Sequence, residues 1–205
     1  MSLPRTLSYF GPEEYLAFER GTDARHEYLD GHVYAMAGES IEHSRICVNV
    51  AGELRSRMKG RPCEVLSPNI KVVTSPTGLF SYPDVVVICG EPQFYDERRD
   101  ILTNPTVVFE MLSPSTEAYD RGEKFLRYRT QIKSLREYVL VSQHRPLVEH
   151  YVRQPDGSWS YSTASDLSET IGLPSIDRCL SLSEIYDRII FPAGAGDTGE
   201  GLGRH

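Results

Sequence analysis

Two short segments of this chain are apolar on both faces of the strand that each would form. Residues 85–88 read Val-Val-Val-Ile, and Val107–Leu112 is apolar except for Glu110. Alternation along the second strand puts Glu110 on the same face as Val108 and Leu112. Strands of this kind are typical of a sheet that other elements cover on both sides. The chain is therefore predicted to fold as a layered α/β structure.

Local patterns supply the other elements. Residues 12–19 are predicted to form a helix, because a proline and two glutamates stand in its first turn. Asp30-Gly31 between two strand-like runs predicts a hairpin. Residues 40–59 have apolar side chains at every fourth position, which predicts a long helix. The remaining predicted elements are strands at 63–67, 70–74, 84–88, 107–112, 137–142, 147–153 and 158–163, and helices at 120–133 and 183–189.

The composition is that of an ordinary globular protein, with 40% hydrophobic and 25% charged residues in a chain of 205. This excludes fibrous and wholly disordered proteins. One domain over residues 1–191 is expected, followed by a flexible Gly-rich tail at 192–205. The tail contains a GxGxxG pattern at 194–199, but too few residues follow it for the helix that a dinucleotide site needs.

Net charge limits the partners. Lys and Arg number 22 against 29 Asp and Glu, a balance of −7. A broad basic face that binds nucleic acid by bulk electrostatics is therefore not expected, whereas a local basic stripe or a bound cation would serve. No apolar run is long enough to span a membrane, and the N-terminus lacks the apolar stretch of a secretory signal. A cytoplasmic protein is expected.

The four cysteines show no CxxC pair and no metal-ligand spacing. We therefore expect four reduced, mostly buried thiols. They are Cys47, Cys63, Cys89 and Cys179.

Asp84 and Glu110 are the most informative polar residues, because Asp84 opens one apolar strand and Glu110 interrupts another. If the two strands are neighbours and the carboxylates lie about 4 Å apart, they repel by on the order of 4 kcal/mol at an effective dielectric constant of 20. A cation or a proton would then have to lie between them. Oxygen ligands of this kind suit Mg²⁺ or Mn²⁺.

Lys124 and Tyr128 lie four residues apart on the predicted helix that follows, so they share one of its faces. If that face meets the sheet edge, a carboxylate pair, a lysine and a tyrosine converge there. Taken singly, each residue has an ordinary structural interpretation: a strand glutamate in an ion pair, an aspartate in a turn, a solvated lysine. The ordered combination is what favours a functional site.

Four segments carry a resemblance to a known family. They are His-Glu-Tyr-Leu-Asp-Gly at 26–31, Tyr-Pro-Asp-Val-Val-Val at 82–87, Phe-Glu-Met-Leu-Ser-Pro-Ser-Thr at 109–116, and the segment 120–128 with its Lys-x-x-x-Tyr spacing. Together they resemble the Uma-two family of predicted restriction endonucleases, in the PD-(D/E)XK nuclease superfamily. The similarity covers roughly residues 10–155.

The resemblance implies a restriction-endonuclease-like mixed β-sheet flanked by helices, with Asp84 and Glu110 as metal ligands. The superfamily pattern places a lysine two residues after the acidic residue, but here that position is Leu112. In related families the following helix supplies the lysine, and Lys124 occupies that place.

Two further residues match the family less specifically. Glu27 resembles an acidic residue of its first segment, and His43 lies where the family often carries a histidine, early in the long helix. The implied function is a metal-dependent endonuclease that hydrolyses DNA with Mg²⁺ or Mn²⁺. A homodimer is expected, because cleavage of both strands of a duplex calls for two sites. Tyr128 would either hydrogen-bond a phosphate or pack in the core, and packing is the favoured interpretation. The candidate DNA contacts are Arg121, Arg127, Arg129, Lys133 and Arg136.

Two other functions stay open on the sequence. A carboxylate-pair glycosidase would use Asp84 and Glu110 as acid and base, but it would not explain Lys124, and Trp159 is the one tryptophan available to line a sugar cleft. A catalytically degenerate module that binds nucleic acid or a protein partner would explain the displaced lysine and the acidic charge.

Overall fold

The computed structural model of the protein describes residues 9–36 and 38–191. Its helices are α1 (Pro12–Glu19), α2 (Ile41–Met58), α3 (Glu117–Tyr119), α4 (Phe125–Gln131) and α5 (Leu182–Ile185), with a π-helical turn at Asp120–Lys124 and a 3₁₀ turn at Pro174–Ile176. Its strands are β1 (His26–Leu29), β2 (His32–Ala35), β3 (Cys63–Leu66), β4 (Lys71–Val73), β5 (Phe80–Ser81), β6 (Val85–Cys89), β7 (Ile101–Leu102), β8 (Val107–Leu112), β9 (Glu137–Ser142), β10 (Val148–Arg153), β11 (Trp159–Ala164), β12 (Thr170–Leu173) and β13 (Arg178–Ser181).

The central sheet has six strands in the order β11-β10-β9-β8-β6-β3. Strands β8 and β9 are parallel, and their connection carries α3, the π-helical turn and α4. The other neighbouring pairs are antiparallel. This is a mixed sheet, as predicted.

Both faces of the central sheet are covered, because side chains alternate along its apolar strands. One face packs on α2 and on the β12–β13 hairpin with α5. The opposite face packs on α4 through Phe125 and Tyr128. Strand β8 divides as predicted: Val107 and Phe109 face α2, whereas Val108 and Leu112 face α4.

A second sheet has the order β2-β1-β5-β4-β7, with β4 and β7 parallel and the other pairs antiparallel. Helix α1 covers it through buried Tyr15, whose ring lies 5.1 Å from that of Tyr28 and 5.6 Å from that of Phe80. Strand β5 of this sheet leads through Tyr82-Pro83-Asp84 directly into β6 of the central sheet. Asp84 therefore lies where the chain passes from one sheet to the other.

Several predicted boundaries differ from the structure. The single helix expected at 120–133 is instead α3, the π-helical turn and α4, and the helix expected at 183–189 is the shorter α5. Four strands were not predicted: β5 and β7 have only two residues each, and β12 and β13 lack the β-branched, alternating pattern on which the other strands were predicted. The Gly-rich tail at 192–205 lies outside the described residues.

The prediction of four reduced, mostly buried cysteines is wrong. Cys63 and Cys89 face each other in the antiparallel pairing of β3 and β6 and form a disulfide, with their Cα atoms 4.0 Å apart. Cys47 is free and partly buried, and Cys179 is free and exposed. The two cysteines are 26 positions apart in the sequence, and only the strand register brings them together.

In the part of the chain that the structure describes, no helix combines the length and the apolar character needed to cross a membrane.

Candidate functional site

Asp84 and Glu110 lie on neighbouring strands at one end of the central sheet. Strands β6 and β8 pair with Val85 opposite Phe109, and this register, continued by one residue, brings Asp84 opposite Glu110. Asp84 Oδ2 accepts a hydrogen bond from the backbone N–H of Met111 at 2.7 Å. The two strands are thus neighbours, which is the condition on which the sequence argument for a shared carboxylate site depended.

Lys124 reaches the same point from the π-helical turn. Its Nζ lies 3.0 Å from Glu110 Oε1, 3.2 Å from Glu27 Oε1 and 3.6 Å from Asp120 Oδ1. The contact with Glu110 is an ion pair without hydrogen-bond alignment, so Glu110 Oε1 is a buried oxygen that has no hydrogen-bond partner among the described residues. π-Helical turns often occur at functional sites, and this one buries both Asp120 and Lys124.

The site has a buried floor and a more accessible rim. The side chains of Glu110, Lys124 and Asp120 are only 5%, 5% and 6% exposed. Those of Asp84 and Glu27 are 17% and 16% exposed. Solvent or a ligand would therefore meet the rim carboxylates first.

Negative charge is in surplus here, with four carboxylates around one ammonium group. Burial raises the pKa of Glu110, and although Lys124 opposes this rise, Asp120, Asp84 and Glu27 add to it. Burial also raises the pKa of Asp120. Burial alone would lower the pKa of Lys124, but the surrounding carboxylates, Glu110 foremost, outweigh it and raise that pKa well above its usual value. A surplus of negative charge has this effect on acids and amines alike.

His43 lies on the rim, in the first turn of α2. Ser40 caps this helix by accepting the backbone N–H of His43 at 3.1 Å. The ring Nε2 lies 3.2 Å from Asp84 Oδ1, and Nδ1 lies 2.8 Å from Glu39 Oε2. Partial burial opposes protonation of the ring, but the bonds to Asp84 and Glu39 raise the pKa of His43.

Glu27 joins the second sheet to this site. It lies on β1, next to β5, and its Oε1 accepts a hydrogen bond from the backbone N–H of Tyr82 at 3.3 Å as well as one from Lys124. Five of the six predicted site residues therefore lie together: His43 contacts Asp84, Lys124 contacts Glu27 and Glu110, and the two groups meet where β6 pairs with β8.

Tyr128 is fully buried beneath the site. Its hydroxyl shares a hydrogen bond of 2.8 Å with Ser81 Oγ, and its ring packs against that of Tyr138. Burial raises the pKa of Tyr128. These contacts are those of a packing residue that ties α4 to β5.

The five basic residues proposed for DNA contact fall into two groups. Arg121 forms ion pairs with Glu117 and Glu149, and Arg127 with Asp30 and Glu123. Their charges are thereby neutralised within the protein. The other three are exposed: Arg129, Lys133 and Arg136.

Comparison with protein families gives one match that spans most of this structure. The Uma2 family model, described as "Putative restriction endonuclease", matches residues 12–183. This chain belongs to the Uma2 family. The match extends from α1 into α5, and it includes every candidate residue of the site. The resemblance seen in the sequence is therefore confirmed.

Two similar Uma2 relatives come from Synechocystis sp. (strain ATCC 27184 / PCC 6803 / Kazusa). "Uncharacterized protein slr1290" is 36% identical over 180 residues, which cover 88% of this chain and 93% of the relative. "Uncharacterized protein sll1609" is 33% identical over 159 residues, which cover 78% of this chain and 89% of the relative.

A solved structure has the same fold as this Uma2 chain. It is the crystal structure of a putative nuclease belonging to DUF820 from Anabaena variabilis ATCC 29413, with a TM-score of 0.72 at 17% identity. The alignment covers 88% of this chain and 99% of the other. The chain thus has the restriction-endonuclease-like fold that the sequence predicted.

Two residues of the Uma2 site escaped sequence reasoning. Asp120 lies four residues before Lys124. On a predicted helix this spacing places the two side chains on one face, and it is the signal that could have identified Asp120. Gln143, buried at the end of β9, donates through Nε2 to the Met111 carbonyl and accepts from Ser40 Oγ at 2.8 Å. Nothing in the local sequence marks Gln143, because its neighbours in the site come from distant segments.

The site chemistry fits the divalent cation that the fold implies. Glu110 Oε1 is a buried oxygen without a hydrogen-bond partner among the described residues, and the carboxylates outnumber the nearby ammonium group. Hard oxygen donors with excess negative charge are the ligands that Mg²⁺ and Mn²⁺ prefer. Asp84 and Glu110 are the residues that would hold such an ion.

Proposed function

We propose that this protein is a metal-dependent endonuclease that hydrolyses phosphodiester bonds of DNA. Membership of the Uma2 family supports a nuclease-like function. The observation that carries the proposal is the contact of 3.0 Å between Lys124 Nζ and Glu110 Oε1. This contact brings Lys124, which lies on the helix after β8 and not two residues after Glu110, to the buried carboxylate of β8.

A Mg²⁺ or Mn²⁺ ion held by Asp84 and Glu110 would supply an activated water and neutralise phosphate charge. Side chains of the protein would stabilise charge and hold the ligands in position. Lys124, held by three carboxylates, would stabilise negative charge that develops on the phosphate. His43 would keep the Asp84 carboxylate in position, and Glu27 would keep the lysine in position.

DNA would be bound by exposed basic residues beyond the site. Arg129, Lys133 and Arg136 are the candidates, since Arg121 and Arg127 are already paired with carboxylates. Because the chain carries a net charge of −7, binding should depend on these few contacts and weaken as salt is raised.

Cleavage of both strands of a duplex calls for two sites, so we also propose a homodimer. Light scattering in solution tests this: twice the mass of one chain supports it, and the mass of a single chain contradicts it.

The test of the endonuclease is the nicking of supercoiled plasmid. The wild-type protein should convert supercoiled to open-circular DNA with Mg²⁺ or Mn²⁺ and should stop when EDTA removes the metal. Lys124→Ala should lower the nicking rate by about 10²–10³-fold, as removal of a transition-state charge stabiliser does. Lys59→Ala is the matched control, because Lys59 is exposed at the opposite end of α2 from His43.

Nicking that persists in EDTA, or that is as fast in Lys124→Ala as in Lys59→Ala, would overturn the proposed role of this site. Circular dichroism of both variants shows whether a loss of nicking reflects unfolding.

The degenerate binding module is the second candidate. The observation that favours it is the absence of lysine from position 112, where Leu112 stands. Plasmid that is retarded on a gel but never nicked under any metal condition would support this alternative.

A further inference from the structure

A second group of metal-ligating side chains lies on the other side of His43. Glu39, His43 and Cys47 follow one another at intervals of four residues, from just before the N-cap of α2 into its second turn. One ligand atom from each lies within 4.8 Å of the other two. The imidazole Nδ1 is the centre of the group, 2.8 Å from Glu39 Oε2 and 3.5 Å from Cys47 Sγ.

The opposite ring nitrogen is held in the way that metal-ligating histidines usually are. His43 Nε2 lies 3.2 Å from Asp84 Oδ1. A histidine that binds a metal through one nitrogen commonly donates the other N–H to a carboxylate, which fixes the tautomer and the ring orientation. With Nε2 held by Asp84, Nδ1 is the ring nitrogen that faces Glu39 and Cys47. Nδ1 could therefore bind a cation together with the ligand atoms of those two residues, in place of its present contact with Glu39.

We propose that Glu39, His43 Nδ1 and Cys47 form a binding site for a zinc-class divalent ion, distinct from the oxygen site of Asp84 and Glu110. The donor set is one oxygen, one imidazole nitrogen and one sulfur. Zn²⁺ and Co²⁺ bind such mixed sets tetrahedrally, whereas Mg²⁺ does not take sulfur ligands. Three protein ligands leave a fourth position for water.

The surroundings favour a cation over a bare thiolate. Burial raises the pKa of the Cys47 thiol, and Asp84, Glu39 and Glu110 raise it further. Without metal the sulfur therefore keeps its proton. As the metal–sulfur bond forms, the S–H bond breaks and the proton leaves to solvent.

The experiment is a titration of the metal-free protein with Co²⁺, followed by absorption spectroscopy. A thiolate-to-cobalt charge-transfer band in the near ultraviolet reports a Co–S bond directly, whatever the protein does to DNA. The wild type should show the band. Cys47→Ala should lose the band. Cys179→Ala, which removes the other free cysteine, an exposed one, should keep it.

Glu39→Gln gives a second variant that is expected to fold normally, because the Glu39 side chain is 52% exposed. It should weaken Co²⁺ binding by about tenfold or more, since loss of even an outer-shell partner costs about that much. Glu110→Gln should retain the band, so the result does not depend on the proposed nuclease site.

A wild-type protein without the band overturns the proposal. So does a band that survives in Cys47→Ala, or one that disappears in Cys179→Ala, because the sulfur ligand would then be a different cysteine.

Discussion

Lys124 is the one ammonium group that the described structure places among Glu27, Glu110 and Asp120, so its removal leaves these carboxylates without a cationic partner. Removal of one carboxylate has the opposite effect, because it lessens the surplus of negative charge. If the site depends on Lys124 for its stability, removal of the lysine should destabilise the protein and removal of one carboxylate should not.

Lys124→Met should lower the free energy of unfolding by about 3–5 kcal/mol, the usual cost of leaving one member of a buried ion pair. Glu110→Gln should leave it unchanged or raise it. The pKa of Glu110 is raised in the folded chain, so its ionised form costs stability as pH rises through that pKa, and glutamine removes this cost. Urea unfolding at neutral pH measures both variants, and a Lys124→Met protein as stable as the wild type would contradict the account.

Tyr128 shows how a residue of the family motif can serve the site through packing. Tyr128→Phe removes a buried hydrogen bond to Ser81 and should cost about 1 kcal/mol of unfolding free energy. The nicking rate should stay within about twofold of wild type, because the side chain is fully buried. Tyr161→Phe, at a tyrosine 55% exposed, is the control for loss of a hydroxyl. A large loss of nicking in Tyr128→Phe alone would show that the hydroxyl contributes to the reaction.

At the scale of elements, the lysine is presented by a helix that is not uniformly α-helical. The π-helical turn Asp120–Lys124 separates α3 from α4 and turns both charged side chains into the core. The sequence predicted one helix here, because the apolar spacing of Phe125, Tyr128 and Ile132 is helical. That spacing begins only at Phe125, so it carries no sign that the turn before it is wider than an α-helical turn.

The disulfide is the other feature of element scale that sequence spacing does not show. It links edge strand β3 to β6. Ellman titration of the denatured, unreduced protein should give two thiols per chain, from Cys47 and Cys179, and four after reduction. Reduction should lower the free energy of unfolding by about 2–4 kcal/mol, as for a loop of this size. Four thiols before reduction would contradict the structure.

At the scale of the whole molecule, the two sheets each contribute side chains to the site. Asp84, Glu110 and Lys124 belong to the central sheet and its crossover, whereas Glu27 belongs to the second sheet. The layered core and the two strands carrying the carboxylates were predictable, because apolar runs and alternation are local signals. The second sheet was not predictable in full, since β5 and β7 are two residues each and take their register from distant partners.

The most direct test of the central claim compares the initial rates at which Glu110→Gln and Glu64→Gln nick supercoiled plasmid in Mn²⁺. Glu64 is an exposed glutamate on edge strand β3, paired with Ile88 at the far end of β6 from Asp84. The account predicts that Glu110→Gln is folded but at least about 10²-fold slower, and that Glu64→Gln nicks as fast as the wild type. Equal nicking rates for the two variants would contradict the account, because the activity would then not come from this site.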